Sequence, residues 1–174
     1  MSCGEMIDVL DDDGNVISTV TREEAERDNH KTENVLIFIF NSLGKVWVQL
    51  RPSNKSHYPG RWDISACGGI LSGESPDQAA ERETYEETGL RPKLQFVKSF
   101  LNIFPGDNGE ERRRFSHLYI GISDEMPQPN EEVDEFKDWE PSELREDATR
   151  NEASYVPSII VELDIALEAY KQLV

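Results

Sequence analysis

At 174 residues, with 37% hydrophobic and 30% charged side chains, the chain has the length and composition of one globular domain rather than a disordered segment. Its formal net charge of -17 argues against nucleic acid and anionic membranes as partners, and any polyanionic substrate then needs a local cluster of Lys, Arg or metal. Cys3 and Cys67 show no pairing logic, no apolar run reaches a membrane span, and the acidic start MSCGEMIDVLDDDG does not resemble a signal peptide, so a reducing, cytoplasmic location is expected.

Met6 to Leu10 (MIDVL) and Val16 to Val20 (VISTV) are β-prone runs around Asp12-Asp13-Gly14-Asn15, a hairpin pattern. Thr21 offers an N-cap for a short polar helix ending near Asn29. No chemistry is legible in this extension, residues 1–31; covering an edge of the core and contributing a homodimer contact are both open to it. Val35 to Phe40 (VLIFIF) is a continuous apolar run, as in a strand buried on both faces, and Lys45 to Leu50 (KVWVQL) returns as a second strand.

Arg51 to Ser65 (RPSNKSHYPGRWDIS) reads as a Pro-, Gly- and Ser-rich loop carrying Arg51, Lys55, His57 and Arg61. In so acidic a chain a basic loop points to an anion, because Arg and Lys make charge-assisted hydrogen bonds to phosphate oxygens. Trp62 is expected to plug the core, and Tyr58 or Phe104 to be available for stacking on a base.

The stretch from Cys67 to Leu90, CGGILSGESPDQAAERETYEETGL, combines a glycine-rich loop with a well-capped helix. Ser75 and Gln78 form a capping box, Pro76 suits the first helical position, and Gly89 suits a left-handed C-terminal cap, so the spacing predicts a helix over 76–88. Glu83, Glu86 and Glu87 stand at i, i+3 and i+4 and share one face near the negative end of the helix dipole. Nothing in the helix is expected to offset their repulsion, so the site calls for a hard divalent cation, which takes carboxylates together with substrate phosphates.

Beyond the helix, Leu94 to Phe104 reads as a bent strand, 105–111 as a polar loop, and Phe115 to Ile122 as a strand. Arg112-Arg113-Arg114 between them is expected to neutralise nearby carboxylates, with a substrate phosphate as the alternative. Asp124 to Glu135 is an acidic loop in which Glu131, Glu132 and Glu135 are candidates for an extra metal ligand or base. A short strand at Phe136 to Trp139, a helix from Pro141 and an amphipathic helix over Ser158 to Leu173 complete the chain.

The Gly68–Leu90 stretch resembles the Nudix box: G, five residues, E, seven residues, then R-E-U-x-E-E-x-G-U with U aliphatic. The pattern falls on Gly68, Glu74, Arg82, Glu83, Thr84, Glu86, Glu87, Gly89 and Leu90, and departs only at Thr84, which is the size of Val. The resemblance implies a single Nudix hydrolase domain over 1–174, an α/β/α sandwich with a mixed sheet (α/β or α+β from pattern alone), an N-terminal β-hairpin extension and a C-terminal helix. It further implies Mg2+ (or Mn2+) held by Glu83, Glu86, Glu87 and the Gly68 carbonyl, with Glu83 also the candidate base. Glu74 and Arg82 become a structural ion pair. The implied reaction is attack of water on phosphorus in a small-molecule diphosphate of the type nucleoside diphosphate linked to X.

The spacing R-x-x-x-K-x-x-x-P-G-x-W before the box is similar to Nudix proteins related to isopentenyl-diphosphate isomerase, which implies that Arg51 and Lys55 hold the diphosphate. An isomerase is therefore an alternative, and Cys67 before Gly68 fits it. Against it stand Gly69, where that group has a metal-binding His, the single nearby His30 ahead of the first core strand where two are needed, and the missing Glu pair at Arg112 to Ser116. A non-catalytic nucleotide-binding domain is the third reading, disfavoured because all the acidic ligands are kept. Every class of diphosphate fits the box equally.

Overall fold

The apolar run from Val35 to Phe40 forms most of β3 (Thr32–Phe40), and its residues are buried on both faces. In the computed structural model, which describes residues 4–174, this strand is the centre of a seven-stranded mixed sheet. Cys3 lies outside the described residues. The order is β5 (Trp62–Asp63), β4 (Val46–Leu50), β3, β8 (Glu111–Ile122), β7 (Leu94–Pro105), with β6 (Ala66–Gly69) also on β3 and β9 (Glu135–Trp139) on β4. β3 and β8 run parallel, from Thr32 opposite Arg114 to Phe40 opposite Ile122, and the other pairings are antiparallel.

Two features of this sheet place the site. β4 pairs with β3 only at Phe40 and Val46, while β6 takes the other end of β3, from Asn34 to Ile37. Ser65 closes the resulting split: its Oγ accepts from Ile39 N–H at 2.8 Å and donates to the Trp47 carbonyl at 2.6 Å. The second feature is the length of β8, which begins at Glu111, so Arg112, Arg113 and Arg114 lie within a strand rather than in a loop ahead of one. Eleven paired positions with β7, from Gly121 back to Glu111, impose this, and strand alternation then sends Arg112 and Arg114 to the face of Leu118 and Ile120 and Arg113 to the other.

Helices cover both faces. α2 (Pro76–Thr88) packs Ala79 and Ala80 on Val35, Ile37 and Ile39, while α3 (Pro141–Arg150) and α4 (Ile159–Leu173) bury Leu144, Leu163 and Ala166 against Phe38, Phe40 and Leu118. The expected α/β/α sandwich is the observed one. The extension forms a separate hairpin, β1 (Met6–Leu10) with β2 (Val16–Thr21), followed by α1 (Arg22–Arg27), whose N-cap Thr21 accepts from Glu24 N–H. Ile7, Val9 and Leu10 are buried, and Ser72 N–H donates to the Met6 carbonyl at 2.8 Å, which docks the hairpin beside the box.

Candidate active site

α2 is capped at both ends as its sequence requires, with the Ser75–Gln78 capping box formed and Gly89 left-handed at φ 74°. Its three ligand candidates do not share one environment. Glu83 and Glu87, one helical turn apart, point inward and are buried, whereas Glu86 at the edge of that face is half exposed. The helix also offsets its own repulsion, contrary to expectation: Arg82 Nη1 lies 2.7 Å from Glu83 Oε1 and 3.3 Å from Glu86 Oε2. The same guanidinium forms a two-pronged pair with Glu74, Nε to Oε1 at 2.7 Å and Nη2 to Oε2 at 2.9 Å, and donates to the Gly69 carbonyl at 3.1 Å. Arg82 thus ties loop, strand and carboxylates together.

Gly68 and Gly69 belong to β6, not to a loop. A Cβ at Gly68 would overlap the Glu83 carboxylate, so glycine there leaves the room in which Glu83 lies and a side chain would displace it. Glu87 enters the split between β3 and β4, where its Oε2 accepts from Gln49 Nε2 at 2.6 Å and from Cys67 N–H at 3.0 Å. Burial raises the pKa of Glu83, against the pull of Arg82, and burial with the neighbouring Glu83 charge raises that of Glu87.

Among the described residues no three ligating side chains converge on one point. The donor set still fits a hard divalent cation: it is all oxygen, and two of its carboxylates are buried with less positive charge than they need. Glu83, Glu87 and, at the solvent edge, Glu86 are the side chains that could hold it.

Arg51 stands at the neck of the basic loop, where Nε and Nη2 donate to the His57 carbonyl at 3.1 and 3.0 Å and Nη1 pairs with Asp63 at 3.2 Å. A guanidinium has five N–H donors, so one on each terminal nitrogen is left over. Lys55 is engaged by Glu132 of the acidic loop, which places that glutamate on a substrate-binding candidate rather than among the box carboxylates. Tyr58 is not available for stacking: its ring is buried and its hydroxyl donates to the Pro105 carbonyl. Phe104 packs on the core, as does Trp62. Cys67 is half-buried with Sγ 3.5 Å from Asp63 Oδ2, and burial, then the charges of Asp63 and Glu87, push its thiol pKa well up.

The extension, in which no chemistry was legible, reaches the site with two residues. Arg22 comes close to Gly69 and pairs with Glu5 at 2.8 Å. Glu26 collects His57 Nε2, Arg112 Nη1 at 3.2 Å and Arg114 Nη2 at 3.8 Å on a single oxygen, and His57 and the two arginines hold its carboxyl down at about 2 despite burial. The triple arginine run therefore neutralises carboxylates, with Arg112 also on Glu110 and Arg113 on Glu111. Glu162 of α4 was also missed; it is buried, accepts from Asn102 Nδ2 at 2.9 Å, and is pushed up to about 8 by burial. Its signal was present: it sits three residues after Ile159 and four before Ala166, on the apolar stripe.

A family model described as the NUDIX domain matches residues 30–159. An isopentenyl-diphosphate Delta-isomerase of Serratia proteamaculans is 35% identical over 150 residues, covering 84% of this chain and 83% of its own length. A protein of the same name from Streptomyces griseus is 30% identical over 172 residues, covering 97% and 86%. An uncharacterized Nudix hydrolase of Listeria monocytogenes is 32% identical over 121 residues, covering 70% and 69%. Among solved structures, a Deinococcus radiodurans protein superposes with a TM-score of 0.76 at 23% identity, covering 92% of this chain and 98% of its own, a likeness of fold. The buried Glu83 and Glu87, the glycine that makes room for one of them, the Arg82 brace and the sandwich around them agree with these matches: the chain belongs to the NUDIX family.

Proposed function

We propose that this protein is a metal-dependent hydrolase of a diphosphate linkage in a nucleoside diphosphate linked to X or a related small molecule, with Mg2+ (or Mn2+) as its cation. The observation that carries this reading is the Glu83–Glu87 pair, buried beneath Gly68 and short of positive charge, with a guanidinium on the neighbouring loop that keeps donors free. A divalent cation on these carboxylates, with Glu86 and the Gly68 carbonyl as further ligands, would supply positive charge to the phosphoryl oxygens. Arg51 offers its two spare N–H groups to one phosphate, and Lys55, released from Glu132, neutralises the other. Water bonds to one phosphorus, the bridging P–O bond breaks with its electron pair on the departing phosphate, and the water's proton passes to a carboxylate, for which Glu83 is the candidate. The Glu74–Arg82 pair positions the loop and takes no part in the chemistry.

Isopentenyl-diphosphate isomerisation is the second reading, supported by the names of the relatives and by Cys67 beside Asp63. Gly69 and the stretch from Arg112 to Ser116 weigh against it, since they stand where the resemblance calls for a His and a Glu pair as metal ligands. A diphosphate panel that includes isopentenyl diphosphate, run with magnesium and with EDTA and read by mass spectrometry, separates the readings. Magnesium-dependent cleavage into two phosphorylated or phosphate products supports hydrolysis. A double-bond isomer of unchanged mass, identified by chromatography, supports the isomerase, and binding without turnover supports a sensor; either result overturns the hydrolase.

A further inference from the structure

The His57 carbonyl that holds Arg51 is itself held from outside its loop. We infer that Glu26 of the N-terminal extension and Asp107 of the β7–β8 turn are positioning residues that set the Arg51 guanidinium for a substrate diphosphate by clamping His57 and Tyr58 between them. This inference rests on the assignment of Arg51 to diphosphate binding.

Three observations converge on it. The ring of His57 lies between two carboxylates, with Nε2 on Glu26 and Nδ1 3.6 Å from Asp107 Oδ2. The next residue is pinned at both ends, as Tyr58 N–H donates to both Asp107 oxygens, at 3.2 and 3.1 Å, and its hydroxyl to the Pro105 carbonyl. Tyr58 also has φ 48°, a left-handed conformation for a bulky residue. Such a conformation persists only where surrounding contacts over-determine it, and relaxes when they are removed.

The path to the proposed ligand is one residue long. The His57 carbonyl accepts from Nε and Nη2 of Arg51, and this contact fixes which edge of the guanidinium is spent. One N–H on each terminal nitrogen is left uncommitted, and this pair is the fork available to oxygens of a phosphate. If the loop relaxes at Tyr58, that carbonyl swings away and the fork loses its direction, while Arg51 keeps its charge. Glu26 is anchored for this role from the far side by Arg112 and Arg114, both nearly buried.

The test is titration calorimetry with methylenediphosphonate, a diphosphate analogue that cannot be hydrolysed, in the presence of magnesium, on the full chain. Glu26→Gln should weaken binding about fivefold to tenfold and Arg51→Ala at least tenfold. In the Arg51→Ala background Glu26→Gln should add less than twofold, which a merely structural defect would not produce. Because Glu26→Gln also leaves two buried arginines short of charge, Asp107→Ala, which touches neither, provides the second arm with the same dependence on Arg51. Melting temperatures are recorded for each variant. An undiminished affinity in both Glu26→Gln and Asp107→Ala, or an equal loss with and without Arg51, overturns the positioning role while leaving the diphosphate assignment standing. An unchanged affinity in Arg51→Ala overturns both.

Discussion

The two faces of the sheet solve opposite electrostatic problems. On the α2 face, Glu74, Glu83 and Glu86 share Arg82, Glu87 is held by Gln49 and the Cys67 N–H, and burial leaves Glu83 and Glu87 under-compensated. On the α4 face, Arg112 and Arg114 are matched by Glu26 and Glu110, and the cluster is close to neutral within itself. A self-satisfied ion cluster braces structure, whereas a buried cluster with excess charge of one sign is poised for a ligand of the other. The lesson is that a basic run is not by itself a phosphate site. The three consecutive arginines are spent on carboxylates, and the single Arg51 keeps donors in reserve.

The largest test of this contrast is charge removal on the α2 face. Glu87→Gln or Glu86→Gln should cut magnesium-dependent turnover by about 10²-fold or more while circular dichroism stays unchanged. Full activity in either would show that the excess charge there does not serve a cation. A smaller effect is expected where one ion pair crosses from the acidic loop to the basic one. Glu132→Gln frees Lys55, and because the pair is partly exposed the substrate KM should fall by roughly twofold to fivefold. An unchanged KM would mean that Lys55 does not meet the substrate.

The smallest effect concerns a buried acid of the α4 face outside the arginine cluster. Glu162 is raised from its ordinary value of 4.5 to about 8, so the folded protein keeps a proton that the unfolded chain releases. Its contribution is intact below about pH 4.5 and is lost as pH rises through 8, because there the folded state must ionise a buried group. Glu162→Gln should therefore melt close to the parent at pH 5 and a few degrees above it at pH 8. A constant difference across that range would show that Glu162 does not titrate between those limits.

Local order along the chain made part of this site legible. The α2 helix could be read to the residue because its capping box, its Pro76 and its Gly89 are contacts within about four positions, and the carboxylate spacing follows from the helical repeat. The fold class followed from the apolar run of β3 and the stripe of α4, since burial periodicity is also local.

Tertiary structure decided what neutralises what. The cluster of Glu26, His57, Asp107, Arg112 and Arg114 joins an extension, a loop, a turn and a strand separated by up to 88 positions, and no periodicity links them. The same holds for Gln49, unremarkable in an apolar strand until the split between β3 and β4 brings it to Glu87. Pairing of β8 with β7 put Arg112 and Arg114 on the inner face, where the sequence showed only a basic run. By itself the sequence determined the helix, its acidic residues and the family they resemble. The burial of Glu83 and Glu87, the reach of Arg82 from Glu83 and Glu86 across to Glu74 and the clamp on Arg51 were settled only by packing, because charge compensation depends on distance in space and not on separation along the chain.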